Sequence, residues 1–171
     1  MAHRMHNYAV QVTWTGNLGT GTSSYSAYGR QHVISAGSKP DIAGSSDPAF
    51  RGHPDRWNPE DLLVAAASAC HKLWYLHLCA EAGIAVMAYR DEALGTMLDH
   101  AGRGHFTEIV LRPHVRIRAG DSMDKAVELH HEAHQRCYIA NSVNFPITCD
   151  PLVEFAADGD QPGPGHPTAR A

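Results

Sequence analysis

The sequence lacks the features that mark several common classes of protein. It contains no CxxC pair, so a zinc ribbon and a thioredoxin-type redox motif are both disfavoured. Its net charge is −4 and its arginines and lysines are scattered, so no strong field draws it to nucleic acid. No internal repeat is visible along the 171 residues. These absences leave one compact globular domain with a sizeable core as the expected class.

Long uncharged apolar segments are missing as well. The N-terminal residues lack the apolar core of a secretory signal. The longest apolar stretch, 62–78, is interrupted by His71, Lys72 and His77, whereas a membrane helix needs about 20 largely uncharged residues. The sequence therefore predicts a soluble, cytoplasmic protein that binds neither membranes nor nucleic acid.

Hydrophobic periodicity predicts an α+β fold in which helices pack on an antiparallel sheet. Strands are predicted over 8–14, 24–28, 31–35, 85–94, 106–118 and 147–155. Residues 36–57 form a polar loop, and loops of this length are often functional or cover a site. A single domain is expected over 1–157, followed by a disordered Gly/Pro-rich tail over 158–171.

Two helices are predicted from their end signals. Asn58 is a capping residue, Pro59 suits the first helical position, and Gly83 is a natural stop. The middle of this first helix is apolar on nearly every side, which is typical of a helix buried in a core or between subunits. A second helix opens at Ser122 and reaches at least Cys137.

Four cysteines are present: Cys70, Cys79, Cys137 and Cys149. In a reducing cytosol they indicate redox chemistry, metal binding or simple burial rather than structural disulfides. Cys70 lies about 16 Å from the start of its helix, so the dipole does little for its thiolate and an activating cation must come from elsewhere. Burial as a small hydrophobe is the commoner interpretation of such a cysteine. We interpret Cys79 and Cys149 as core cysteines.

Residues 58–70, Asn-Pro-Glu-Asp followed by a run of small and apolar residues and Ala-Cys, resemble the signature of the OsmC/Ohr (organic hydroperoxide resistance) family. Cys70 follows Glu60 by ten positions, as in that signature, and Cys137 ends a helix rich in His and Glu. The resemblance covers roughly 8–157. It implies the OsmC-like fold, with antiparallel sheets packed against a long central buried helix and a second helix, in an intertwined homodimer with sites at the interface.

The resemblance also implies roles for individual residues. Cys70 would be the peroxidatic thiol and Cys137 the resolving thiol. Glu60 would orient an arginine that stabilises the Cys70 thiolate and polarises the peroxide. We prefer Arg51 over Arg56 for that arginine, because its Phe and Gly neighbours suit a loop that closes over a pocket, although its spacing from Glu60 is one residue off the commoner one.

The implied reaction reduces organic hydroperoxides to alcohols through a Cys70 sulfenic acid and a Cys70–Cys137 disulfide. No cofactor is expected beyond an external dithiol reductant, either a lipoyl protein or a thioredoxin-like protein. Aromatic residues near the motif are predicted to bind the organic part of the substrate, with core packing as an equal alternative for each. They are Phe50, Trp57, Trp74 and Tyr75.

The sequence also departs from the family pattern. Tyr138 follows Cys137 where many members have proline, and His71 stands where an apolar or aromatic residue is common. These differences favour a distinct, OsmC-like subgroup. They leave the identity of the preferred peroxide and of the reductant open, more than the cysteine chemistry.

Two other functions stay open. One is a non-catalytic protein, either a module that binds a small apolar ligand and has inert cysteines or a redox-sensing OsmC-like protein. The other is a metal-dependent protein, because His130, His131 and His134 lie on the second helix and two of them are four residues apart. No HExxH pattern is present, and a third ligand is not obvious unless Cys137 contributes. We therefore predict no metal site and interpret these histidines as a solvated or partly packed helix face.

Overall fold

The protein is represented by a computed structural model that describes residues 4–100 and 102–157. Its contacts group the chain into two compact units that divide between Leu63 and Val64. The predicted tail, 158–171, lies outside the described residues.

The first unit contains a three-stranded antiparallel sheet in the order β1-β2-β3. Its strands are β1 (Gln11–Trp14), β2 (His32–Ser35) and β3 (Ile42–Gly44). The predicted strand over 24–28 does not form. Within this segment only Tyr28 pairs with another part of the chain, through a single isolated β-bridge to Asn17. β3 lies inside the segment predicted to be loop, where its pairing with β2 outweighs its weak local signal.

The first helix, α1 (Pro59–Glu81), has the predicted ends. The Asn58 side chain accepts a hydrogen bond from the Asp61 N–H at 2.7 Å, which caps the N-terminus. At the other end Gly83 has φ 74°, and the Ile84 N–H donates to the Cys79 carbonyl at 2.9 Å. That left-handed closure is one that a glycine adopts without a steric penalty.

Only one face of α1 is buried within the chain. This face consists of Ala67, His71, Tyr75, Leu78 and Cys79. The opposite face is exposed, and the side chain of Leu73 is 64% accessible. By length and composition α1 could cross a bilayer, but core helices of globular proteins pass the same test. Its packing in the second unit identifies it as a core helix, and the apolar composition on all sides exceeds what one chain buries.

The second helix, α2 (Met123–Arg136), also has the predicted start. The Ser122 hydroxyl accepts a hydrogen bond from the Lys125 N–H at 3.3 Å. Cys137 is its C-terminal capping residue, and the Cys137 N–H donates to the His134 carbonyl at 3.2 Å. The end of α2 therefore places the Cys137 thiol at the point where the chain leaves the helix.

The second unit holds two three-stranded sheets. One has the order β4-β7-β9 and the other the order β5-β6-β8. Their strands are β4 (Val86–Asp91), β5 (Leu94–His100), β6 (Arg103–Leu111), β7 (Pro113–Ile117), β8 (Ile147–Cys149) and β9 (Leu152–Phe155). Two of the predicted strands are thus each divided, 106–118 at Arg112 and 147–155 at Asp150-Pro151.

The sheets are mixed rather than purely antiparallel, which corrects the prediction. β6 pairs with β8 in parallel, and β7 pairs with β9 in parallel, while β5 and β4 are antiparallel to their partners. Parallel pairing between segments this far apart in sequence leaves no local signature. The predicted inward face is nevertheless confirmed, since Ile109, Leu111, Val115 and Ile117 are all at most 1% exposed.

Two hydrophobic clusters form the core of the second unit. One joins α1 and α2 to the sheet β4-β7-β9 and includes Tyr75, Leu78 and Ile117. The other joins Ala67 of α1 to Ile109, Leu111 and Ile147 on β6 and β8. Because α1 contributes to both clusters, its central turns, which carry Cys70 and His71, are held between them.

Candidate functional site

The structure brings Cys70 and Cys137 together. Cys70 lies in the middle of α1 and is half-buried, whereas Cys137 follows α2 and is 2% exposed. The two thiols lie near enough for Cys70 to affect the protonation of Cys137, and both cysteines are unbridged. This proximity is what a disulfide between residues far apart in the sequence requires.

The surroundings of Cys137 keep its thiol protonated. Burial, the largest cause, and the neighbouring Cys70 thiol together raise the pKa of Cys137 to about 11. Backbone N–H groups act in the opposite direction, and the Ala140 N–H donates to the Cys137 Sγ at 3.4 Å. Since the effect of burial is the largest, Cys137 is a neutral thiol at physiological pH.

Of the aromatic residues predicted to bind substrate, two lie in the second unit. The Trp74 ring is edge-to-face with Tyr138, 5.7 Å between ring centroids, and with Leu73 and His77 it lines a shallow cavity of about 270 Å³. Tyr75 has no exposed surface, and its ring stacks on His130 at 3.8 Å. The surroundings of Tyr75 in the structure are therefore those of a residue packed in the core, the alternative to substrate binding that the sequence left open.

The other predicted site residues lie in the first unit. Arg51 follows a short 3₁₀ helix, Pro48–Phe50, and has φ 65°. Among the described residues it is the only non-glycine residue with positive φ. Its guanidinium carbon lies 5.7 Å from the centre of the Tyr25 ring. A long side chain held in this uncommon backbone conformation indicates a constrained loop position.

Arg56, the other candidate arginine, has different surroundings. It lines a cavity of about 270 Å³ with Trp57 and Asp61. Trp57 is 51% exposed, and its backbone pairs with β3. Phe50 is 39% exposed at the end of the short 3₁₀ helix, and Glu60 is half-buried in the first turn of α1. How these residues are used with Cys70 stays a prediction.

A second cluster of chemically capable side chains lies beside the cysteine pair. His71 of α1 and His130 of α2 are 0% and 3% exposed, and their rings are hydrogen-bonded, with Nε2 of His71 3.0 Å from Nδ1 of His130. The Sγ of Cys149, on β8, lies 3.6 Å from the former nitrogen and 3.9 Å from the latter. The helices α1 and α2 and the strand β8 thus each place one atom that can ligate a metal, and these three atoms lie close together.

All three groups of this cluster are neutral at physiological pH. Burial lowers the pKa of His71 to about 4 and that of His130 to about 3. Burial also raises the pKa of Cys149 to about 12, with Asp91 and Asp150 adding to the effect. In each case removal from water disfavours the charged form.

The sequence did not predict this cluster. His130 was interpreted as part of a solvated or partly packed helix face, and Cys149 as a core cysteine. A signal was present, because His71 interrupts an apolar helix at a position where the family commonly has an apolar or aromatic residue. Its partners on α2 and β8 depend on how distant segments pack, which local periodicity does not reveal.

The fold and the cysteine pair define a class of small α+β proteins that carry one thiol on a long core helix and a second at the end of another helix. Residues 52–151 match the family described as OsmC-like protein. The chain belongs to this family.

Solved structures share the fold. An OsmC-like protein of unknown function from Vibrio cholerae O1 biovar eltor is 27% identical, with a TM-score of 0.74 over 86% of this chain and 100% of that one. An organic hydroperoxide resistance protein from Elizabethkingia anophelis is 18% identical, with a TM-score of 0.65 over 91% and 100%. A similar protein from Legionella pneumophila, also described as an organic hydroperoxide resistance protein, is 15% identical, with a TM-score of 0.61 over 88% and 98%. No curated protein matches the sequence.

Proposed function

We propose that the protein is a thiol-dependent peroxidase that reduces organic hydroperoxides to alcohols. The observation that carries the proposal is the proximity of the Cys70 and Cys137 thiols, one in the middle of α1 and the other at the end of α2. Membership of the OsmC-like family supports it, as do the two fold relatives described as organic hydroperoxide resistance proteins.

In the proposed cycle the Cys70 thiolate attacks the distal oxygen of the peroxide. The O–O bond breaks, the alkoxide takes up a proton and leaves as the alcohol, and Cys70 becomes a sulfenic acid. Cys137 then attacks the sulfenic sulfur, which releases water and forms the Cys70–Cys137 disulfide. An external dithiol, on a lipoyl or thioredoxin-like protein, restores both thiols by exchange.

The other residues of the proposed site act on Cys70 and on the substrate. Arg51, oriented by Glu60, stabilises the thiolate and the charge that develops on the leaving oxygen. Phe50, Trp57 and Trp74 offer exposed or partly exposed apolar surface to the organic group, which favours alkyl or aryl hydroperoxides over hydrogen peroxide. Tyr75 acts from the core by supporting the helix that carries Cys70.

We also propose that the protein is a cytoplasmic homodimer. The family resemblance implies an intertwined dimer, and the exposed apolar face of α1, which includes Ala65, Ala69 and Leu73, supports it. A second chain covering this face would account for a helix that is apolar on nearly every side.

Mass spectrometry after one equivalent of cumene hydroperoxide tests the proposed cycle. We expect a disulfide between Cys70 and Cys137, with Cys79 and Cys149 still reduced, because the first two thiols are neighbours, whereas Cys79 is buried in the core and Cys149 lies beside His71 and His130. A disulfide between other cysteines would contradict the proposal. So would a sulfinic acid on Cys70 beside a free Cys137 thiol.

The rate of disulfide formation is expected to rise with pH. The raised pKa of Cys137, about 11, leaves its thiol protonated at neutral pH, and the attacking species is the thiolate. The thiolate fraction grows about tenfold per pH unit below the pKa, so the rate should increase by about 100-fold between pH 7 and pH 9. Quenched-flow trapping of the Cys70 sulfenic acid measures this step separately from peroxide attack. A rate that stays constant over that range would contradict the assignment of Cys137.

The raised pKa of Cys137 also favours the second candidate, a redox-sensing or small-ligand-binding protein without turnover. The two functions differ in the reactivity of Cys70. A peroxidase requires Cys70 to be alkylated quickly at neutral pH and to be reoxidised repeatedly in the presence of a dithiol. A ligand-binding protein requires slow alkylation, and a redox sensor requires a reactive Cys70 that is oxidised once without repeated turnover.

A further inference from the structure

We propose that His71, His130 and Cys149 form a zinc site in the second unit. This site differs from the histidine pair considered from the sequence, because only one of its histidines lies on α2. Its ligand atoms are Nε2 of His71, Nδ1 of His130 and Sγ of Cys149, which all lie within 4.8 Å of one another. The inference does not depend on the peroxidase proposal, since neither Cys70 nor Cys137 is a ligand.

The spacing of the three atoms fits one ion. Tetrahedral zinc with Zn–N bonds of about 2.05 Å and a Zn–S bond of about 2.3 Å places its ligands about 3.3 Å (N to N) and about 3.6 Å (N to S) apart. The structure has 3.0 Å between the nitrogens and 3.6 and 3.9 Å from them to sulfur. Adjustments of a few tenths of an ångström therefore suffice to place an ion among them.

The burial of the two imidazoles supports the same conclusion. His71 and His130 are buried beside the half-buried Cys149 thiol, and a single proton between the rings gives the two imidazoles one hydrogen bond to each other. Polar groups away from water are stable when they are hydrogen-bonded or coordinate a metal. The rings are also fixed before any ion binds, because Tyr75 stacks on one side of His130 and His71 lies parallel to its ring.

The cluster has an entry path and room for a fourth ligand. A cavity of about 400 Å³ is lined by His130 and Cys149 and also by His131, His134 and Thr148. Three protein ligands with an open position are typical of zinc that keeps an exchangeable water. Imidazole with thiolate selects zinc over the oxygen-preferring Mg²⁺ and Ca²⁺.

When Zn²⁺ binds, it replaces the proton on the Cys149 sulfur, and no group is oxidised or reduced. The Cys149 thiol loses its proton to solvent as the Zn–S bond forms, and the two neutral imidazoles donate lone pairs. The ion then links α1, α2 and β8 through one residue each. Because His71 is next to Cys70 in α1 and α2 leads into Cys137, the metal would hold the two helices that carry the thiol pair in register.

The test uses the full-length chain, stripped with EDTA and titrated with Zn²⁺ and with Co²⁺. We expect one tightly bound ion per chain, a rise in Tm of at least about 5 °C, and a thiolate-to-cobalt charge-transfer band. Cys149→Ala is expected to abolish the band and to weaken zinc binding by at least about 100-fold. The double variant Cys70→Ser/Cys137→Ser is the matched control and should keep both the band and the stoichiometry.

The outcomes separate the possibilities. A band that survives in Cys149→Ala but disappears in the double variant would place the metal on the Cys70–Cys137 pair and overturn the proposal. Failure of the wild-type chain to bind Zn²⁺ at micromolar concentration would also overturn it. If Cys149→Ala does not fold, as judged by circular dichroism, His130→Asn replaces it and should also bind zinc at least about 100-fold more weakly than the wild type. The titration of the wild-type chain tests the proposal independently of either variant.

Discussion

Replacing Cys70 by serine is expected to reduce peroxide consumption by about 10³-fold or more. A serine hydroxyl stays protonated at neutral pH, whereas a cysteine is partly ionised and its thiolate attacks a peroxide oxygen readily. Cys70 is half-buried and so keeps part of its surface in contact with solvent, which a nucleophile that meets a dissolved substrate requires. Stopped-flow consumption of cumene hydroperoxide, linked to a dithiol reductant, measures the effect.

Cys137→Ser is expected to give a different result, because it removes the second step and not the first. The variant should release about one equivalent of alcohol per chain at the wild-type rate and then stop, with a sulfenic acid on Cys70 that a dimedone probe traps. Cys79→Ala is the control for loss of a buried thiol, since Cys79 is fully buried in the core. It should turn over at close to the wild-type rate.

Consumption of peroxide by Cys70→Ser at the wild-type rate would contradict the assignment of the nucleophile. Continued turnover by Cys137→Ser in the same assay would instead show that the external dithiol reduces the Cys70 sulfenic acid directly. That outcome would retain Cys70 as the reactive thiol and remove Cys137 from the cycle.

Arg51→Ala is expected to lower kcat/KM for an organic hydroperoxide by about 10- to 100-fold. In the proposed site the guanidinium stabilises the attacking thiolate and the charge that develops on the leaving oxygen, and each tenfold loss of rate corresponds to about 1.4 kcal/mol. Arg56→Ala is the matched control, being another arginine of the same loop, and should stay within about twofold of the wild type. Stopped-flow peroxide consumption at low peroxide concentration measures kcat/KM.

The backbone of Arg51 allows a sharper version of this experiment. Its φ of 65° costs a non-glycine residue about 1 kcal/mol, and glycine adopts it freely. Arg51→Gly should therefore retain or increase the free energy of unfolding while losing as much activity as Arg51→Ala. Equal losses of activity and stability in both variants would indicate that Arg51 matters for the loop and not for the thiol. A large loss in Arg56→Ala alone would transfer the role to Arg56.

Local signals predicted both helices because helix ends are set by residues adjacent in sequence. Asn58, Gly83 and Ser122 act at the positions expected of them, through hydrogen bonds within one turn. Strand boundaries were predicted less well. β5 was missed beyond Leu94, because it is largely exposed and so has no buried face to create a period of two.

The divided strands have a different explanation. Burial continues to alternate through Arg112, from Leu111 to Pro113, so the pattern predicts one strand even though β6 and β7 belong to different sheets. Sheet membership is decided by the partners, and β8 and β9 pair in parallel from far along the chain.

By itself, the sequence determined the fold class, the ends of both helices, the inward face of β6 and β7, and the two cysteines of the proposed site. These features depend on helix caps, hydrophobic periodicity and the Asn-Pro-Glu to Ala-Cys motif, all of which involve residues close together in the sequence. Only the tertiary structure decided that the Cys70 and Cys137 thiols are neighbours, and that His71, His130 and Cys149 converge. Both the cysteine pair and the His71–His130–Cys149 cluster join side chains on elements far apart in the sequence. The distances between these side chains follow from the packing of helices and sheets, which no local sequence pattern specifies.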